Sequence, residues 1–245
     1  MDPVYLDEKP IHCLMYADDI VLLSSTPQGL QTKLNSLAKY CDEWCLQLNP
    51  SKTKVLVFNK AGRLIKNHKF TFSEHDIECV QHCKYLGIYV SASGNFSFAQ
   101  SELYKKSLKA YFKLQKDFLS HNPNIGTRIH VFDHTIKPIL LYGSEIWGSF
   151  NTQTATFKND RQITLDHIFN NLMCEKLHIK FGKFILGVHR KTTNQAVLSQ
   201  IGRFPIYFGI IKSMLNYWQR QEYLDSLQKV FQIIPGFLDI KYKKK

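Results

Sequence analysis

The feature that most limits what this chain can fold into is the stretch CLMYADDIVLLSS, residues 13–25, where Asp18 and Asp19 stand between two apolar runs. Adjacent carboxylates repel each other and resist burial, so a chain that sets them between hydrophobic segments must give their charge an outlet. The flanking residues are apolar and β-branched, and an Asp pair tolerates turn geometry, which predicts a β-hairpin with both aspartates at its tip. A solvated turn and a divalent-cation site each meet that demand.

Residues 26–91 alternate between element types. Thr26 and Pro27 read as the N-cap and first residue of a helix. Leu30, Leu34, Leu37, Ala38, Cys41, Cys45 and Leu48 then recur at helical spacing as one buried stripe, with Gln31, Lys33, Asn35, Lys39 and Asp42 on the opposite face. Asn49 and Pro50 break the helix, and TKVLVF (53–58) predicts a short strand. A polar connector rich in Lys, Asn and His leads to CKYLGIYVS (83–91), read as one further strand in which Gly87 marks a close backbone approach. Hairpin, helix, strand, strand is the order of an α+β layer with one helix packed on a sheet.

Beyond residue 96 the pattern turns mostly helical. Leu103, Leu108, Tyr111, Phe112, Leu114 and Phe118 form an apolar face over residues 100–119, backed by Lys105, Lys106, Lys109, Lys113 and Lys116. NPNIG (122–126) ends that helix, another is predicted over 127–136, and PILLYGSEIWG comes next as an aromatic-rich turn or short helix. Residues 151–160 lack periodicity and are expected to form a mobile loop. Two or three helices are expected between 162 and 227, interrupted at 187–194 and 201–206, before a basic, disordered KYKKK tail.

Charge divides the chain in the same place. Residues 1–100 hold ten basic and ten acidic residues, so the net +12 lies entirely in the remaining 145, with twenty-two against ten. Such a surplus points to a polyanion, nucleic acid before membrane, because no basic amphipathic helix of interfacial type stands out. A merely solvated basic face is the plainer alternative. No apolar run reaches the length of a membrane span and no secretory signal opens the chain, so an intracellular protein is expected, with its six cysteines as reduced thiols. His75, Cys79, His82 and Cys83 are ligand-type residues, but their spacing matches no standard zinc module.

Four segments, LMYADDIVLLS, LNPSKTKVLVF, KYLGIYVS and KPILLYGSEIWG, together resemble the reverse transcriptase of non-LTR (LINE-type) retrotransposons. KFILGVHRKTTNQAVLSQIGRFPI is similar to the helical segment beyond the thumb in that family. The resemblance implies an α+β fold: a partial polymerase palm of β-hairpin, helix and strands over 1–96, then a mostly helical thumb over 97–160 and a helical post-thumb segment over 161–245. It implies RNA-directed DNA synthesis on an RNA template and DNA primer, with two Mg²⁺ ions in the complete enzyme. Tyr16, Ala17, Asp18 and Asp19 match the family's Tyr-x-Asp-Asp box, which makes Asp18 and Asp19 catalytic metal ligands, Asp18 the firmer one. Lys52 falls where the family places a lysine thought to protonate the leaving pyrophosphate. Tyr85, Leu86 and Gly87 match the primer-grip segment, and Lys105, Lys109, Lys113 and Lys116 would meet nucleic acid from the thumb. The family's upstream palm strand with its further aspartate, the fingers and the endonuclease are not found in the sequence. Weak magnesium binding and no primer extension by these residues alone are therefore expected. A non-catalytic nucleic-acid-binding remnant, and an unrelated α+β protein with a solvated Asp-Asp turn, are the alternatives.

Overall fold

The structure is a computed structural model that describes residues 2–6, 8–65, 68–148 and 172–233, with side chains to residue 222. It divides into two compact units, Met1–Asn95 and Phe96–Lys245. The first is α+β and the second helical, as the periodicity predicts.

In the first unit, hairpin β1 (Val4–Leu6) and β2 (Lys9–Ile11) precedes hairpin β3 (Cys13–Tyr16) and β4 (Asp19–Leu22). Helix α1 (Pro27–Glu43) comes next, then β5 (Lys54–Leu56), β6 (Phe70–Phe72), β7 (His75–Val80), β8 (His82–Tyr85) and β9 (Ile88–Ser91). β5 pairs parallel with β7, and β6 pairs antiparallel with it, giving the order β5-β7-β6. β6 and β7 correct the expectation of a polar connector between residues 58 and 83. Phe70, Phe72 and Ile77 are the buried positions of that hairpin, and their alternation is short and interrupted by charge.

Helix α1 begins where Thr26 and Pro27 predict. The Thr26 hydroxyl accepts from the Gly29 amide at 3.1 Å and donates to Asp2 Oδ2 at 2.7 Å. The helix ends earlier than its apolar stripe suggests: Glu43 is its last residue, and Cys45 adopts φ +53 and is exposed. Cys41 keeps its place in the core while Cys45 loses it. Lys33, assigned to the solvent face, is buried instead, its ammonium donating to the Asp2 carbonyl at 2.7 Å and to that of Leu23. α1 packs on β6, and Leu34 and Cys41 join Val55, Phe70, Phe72 and Ile77 in one core. Burying each large apolar side chain contributes about 1.5–3 kcal/mol. Gln31 closes the outer edge of β6: its amide nitrogen donates to Thr71 O at 2.9 Å and its oxygen accepts from Thr71 N at 3.0 Å. One side chain thus satisfies the backbone pair that an edge strand leaves open.

The second unit holds α2 (Ser97–His121), α3 (Ile125–Thr135), α4 (Lys137–Leu140), α5 (Met173–Leu186), α6 (Asn194–Gln200) and α7 (Tyr207–Ile233), with 144–148 also helical. Asn122 in the left-handed region ends α2, and the Asn124 side chain caps α3 two residues before the expected start. Phe132 and Phe181 stack at 4.0 Å between ring centroids, both fully buried, beside Tyr111, Ile136, Trp147, Leu177 and Ile210. Gly182 permits α5 to meet α6, since a Cβ there would lie 2.7 Å from Val197 Cγ1. The expected loop at 151–160 and the basic tail fall outside the described residues. Among the described residues no helix is long and apolar enough to cross a membrane.

Candidate active site

The β3–β4 hairpin is a two-residue connection. Tyr16 pairs with Asp19, so Ala17 and Asp18 form the turn and Asp19 is the first residue of β4 rather than part of the tip. Ala17 carries φ +52 as the first of the two turn residues, the pattern of a primed turn that matches strand twist. Leu23 N donates to His12 O at 2.9 Å and closes the hairpin's base, and Lys33 holds the Leu23 carbonyl from helix α1. The carboxylates are thereby mounted on a short ribbon fixed at its root.

The hairpin is largely exposed. Tyr16, Asp18 and Asp19 are exposed, and so are the apolar Leu14, Met15 (72%) and Ile20. A two-stranded ribbon with apolar residues in water is marginal as an isolated element. Asp18 and Asp19 supply hard oxygen donors of the kind a divalent cation takes, and magnesium completes such a shell with water and phosphate oxygens. Their donor chemistry fits the ion, and their number is at the minimum: among the described residues no three His, Cys, Asp or Glu side chains converge as a metal site. The cysteines are all unpaired.

Lys52 lies in the exposed turn between α1 and β5, where the Asn49 side chain accepts from Ser51 N at 3.1 Å and Lys52 N at 3.3 Å. That Asx-type turn fixes the lysine's backbone and leaves its ammonium in solvent. Tyr85, Leu86 and Gly87 require a correction. Residues 83–91 are not one strand but a second hairpin, β8–β9, with Leu86 and Gly87 as its two-residue turn at φ +47 and +87. Gly87 serves the turn. Leu86 has no such freedom, since a left-handed conformation costs an L side chain about 1–2 kcal/mol. It is also 40% exposed, so burial does not offset that cost in full.

In the second unit Lys105, Lys109, Lys113 and Lys116 are exposed along α2 at spacings of four, four and three, one face of the helix. Lys105 is bonded to Glu102 at 2.7 Å. The sequence reading missed a buried polar chain. Glu175 Oε2 accepts from Ile206 N at 2.7 Å, and its Oε1 accepts from His178 Nδ1 at 3.0 Å. With its proton on Nδ1, His178 offers Nε2 to Arg203 Nη1 at 3.4 Å, and Arg203 pairs with Asp133. Glu175 and His178 are each 3% exposed. The signal was available: an acid and a histidine three apart on the apolar face of MCEKLHIKFGKFIL.

An α+β unit presenting two carboxylates on a root-fixed hairpin, succeeded in sequence by a helical unit with a lysine face, is consistent with a partial polymerase palm followed by a helical region. Residues 1–90 match the family model described as reverse transcriptase (RNA-dependent DNA polymerase). The chain is 32% identical over 144 residues to a transposon-derived protein of Caenorhabditis elegans, covering 56% of this chain and 49% of that one. It is 31% identical over 143 residues to a Drosophila melanogaster protein named as a probable RNA-directed DNA polymerase from transposon BS, covering 54% and 16%. It is 33% identical over 94 residues to a Pol polyprotein of the type-1 retrotransposable element R2 from Nasonia vitripennis, covering 35% and 9%. No solved structure matches. Residues 1–90 thus match part of a reverse transcriptase, the chain is similar to these transposon and retrotransposon proteins, and it spans half or less of their length. Reverse transcriptases as a family work on a nucleic-acid template and primer with divalent metal ions.

Proposed function

We propose that these residues act as the palm hairpin, primer-contacting hairpin and thumb of a longer RNA-directed DNA polymerase that copies RNA from a DNA primer. The exposed β3–β4 turn carries the reading: two carboxylates in solvent, presented on a hairpin held at its base by Lys33 and His12. Asp18, with Asp19, would hold Mg²⁺, which when bound stabilises the charge that develops on the attacking and leaving oxygens. Lys52 would give a proton to the departing pyrophosphate from its solvent-facing position. Leu86 and Gly87 would meet the primer backbone, and a strained, partly exposed leucine at a hairpin tip supports a role outside the fold's own stability. The lysines of α2 would engage phosphates without sequence preference. An intracellular setting belongs to the same proposal.

Two carboxylates hold the ion weakly, because magnesium gives up its waters reluctantly to a site with few ligands. Residues 1–245 alone are therefore expected not to extend a primer on an RNA template. Fusion to the amino-terminal part of a homologous polymerase should give synthesis that Asp18→Ala abolishes and Lys52→Ala slows about a hundredfold in single turnover. Robust incorporation by residues 1–245 alone, or a fusion indifferent to Asp18→Ala, would overturn the reading. A second reading, a nucleic-acid-binding remnant without catalysis, rests on the lysine face and predicts binding without synthesis in either form.

A further inference from the structure

Helix α3 carries the sequence HVFDH over residues 130–134, in which His130 and His134 stand four apart and so share one face. Both are exposed, while Phe132, on the opposite side of the helix, is fully buried. The two rings lie against each other, with centroids 4.1 Å apart and planes tilted by 35°. His134 Nδ1 is 2.8 Å from the His130 carbonyl oxygen. A carbonyl only accepts, so in the neutral ring Nδ1 carries the proton and Nε2 keeps its lone pair. A bond from one ring nitrogen to a backbone carbonyl is the usual outer partner of a metal-binding histidine: it fixes tautomer and ring orientation and makes the other nitrogen more basic. One turn of helix thus supplies two imidazoles and the bond that orients the second.

A cation about 2.0–2.1 Å from one nitrogen of each ring sets the ring centres roughly 4.5–5 Å apart. The observed 4.1 Å falls short of that by less than about one ångström, which small rotations of two exposed side chains within their rotamer wells supply without moving the helix. Two histidines at this spacing on one helical face are also how the His-Glu-x-x-His motif presents a pair of ligands to zinc. Val131 stands where that motif has its catalytic glutamate, so the spacing speaks for binding and not for hydrolysis. Imidazole nitrogen suits zinc, copper, nickel and iron, whereas magnesium takes oxygen donors, so this pair differs in kind from Asp18 and Asp19. The neighbouring carboxylate, Asp133, is paired with Arg203, and among the described residues no third His, Cys, Asp or Glu side chain joins the two histidines. The remaining coordination positions face solvent and fall to water or to a donor from another molecule.

We propose that His130 and His134 form a two-histidine chelate on α3 for a borderline divalent cation of the zinc class, with its other positions open to solvent. The site lies wholly within the helical unit and is independent of the polymerase reading. Purified, reduced residues 1–245 are titrated with zinc chloride near neutral pH and followed by calorimetry and by carbon–proton NMR spectra of the imidazole rings. The His130 and His134 signals should move before those of the other histidines. His130→Ala and His134→Ala should each weaken this binding about tenfold or more, the scale on which even an outer partner of a ligand counts. Magnesium at the same concentration should leave both signals in place. Asp18→Ala should bind zinc as the wild type does, which keeps this outcome apart from that of the polymerase reading. Both histidines are exposed, and unchanged far-UV circular dichroism keeps the comparison on folded protein. Zinc that moves other histidine signals first, or an Ala variant that binds zinc with wild-type affinity, overturns the proposal. An equal response to magnesium overturns the class of cation.

Discussion

Replacing Glu175 by Ala should be among the most damaging single changes in the helical unit. The carboxylate accepts two bonds in a site 3% exposed, from the Ile206 amide and from His178, and its removal leaves both donors without their acceptor. A hydrogen bond to a charged group contributes about 1.5–3 kcal/mol, and breaking a buried pair by deleting one partner costs about 3–5 kcal/mol. Of a total stability near 5–15 kcal/mol, a loss of about 4 is a large share and lowers the melting temperature on the order of 10 °C. Glu175→Gln keeps one carbonyl oxygen as acceptor and gives up the charge, so it should cost about half as much. Urea unfolding monitored by far-UV circular dichroism measures both, and amide exchange at Ile206 locates the effect. A double-mutant cycle with His178→Ala should show a coupling of about 0.5–3 kcal/mol. Glu175→Ala within about 1 kcal/mol of wild type, or a Gln variant no better than the Ala one, would refute the claim that this carboxylate anchors the 201–206 turn to α5.

Leu86→Asn should raise the stability of residues 1–245 by about 0.5–1 kcal/mol in urea unfolding, because Asn-Gly suits a turn with both φ positive; a loss would mean that the leucine side chain secures the hairpin. Asp2 is held down to about 2 from the usual 3.8 by the Thr26 hydroxyl above all, with Ser24, Ser25 and the Thr26 amide adding to it. Its folded value lies below its unfolded one, so its support for the start of α1 is present above pH 3.8 and is lost as pH falls through about 2. An NMR titration of the Thr26 amide should show that low midpoint, and a midpoint near 4 would remove the contact. Burial, and after it Glu175, pushes the Cys174 thiol up to about 12, while Cys13 and Cys45 are exposed. Aromatic disulfide reagent at about pH 8 should label those two quickly and Cys174 only on unfolding, as mass spectrometry can show; equal rates would contradict its burial.

Local pattern determined much of this protein. Thr26-Pro27 set the start of α1, apolar spacing set α2 and its lysine face, and the apolar flanks of Asp18-Asp19 set a hairpin, because capping, periodicity and turn chemistry act over a few neighbouring residues. The family resemblance rested on motifs equally local. Tertiary structure decided what depends on partners distant in sequence. Lys33 is charged and reads as solvent-facing, yet two backbone carbonyls, 10 and 31 residues away, accept hydrogen bonds from its ammonium. Cys45 fits the apolar stripe, but the chain leaves the helix before reaching it. KYLGIY looks like one strand because its residues are apolar and β-forming, whereas the pairing of Cys83 with Val90 folds it into a hairpin. Glu175, His178, Arg203 and Asp133 span about seventy residues and become one chain only when α3, α5 and the 201–206 turn pack together, since a buried carboxylate is tolerable only where folding supplies its donors.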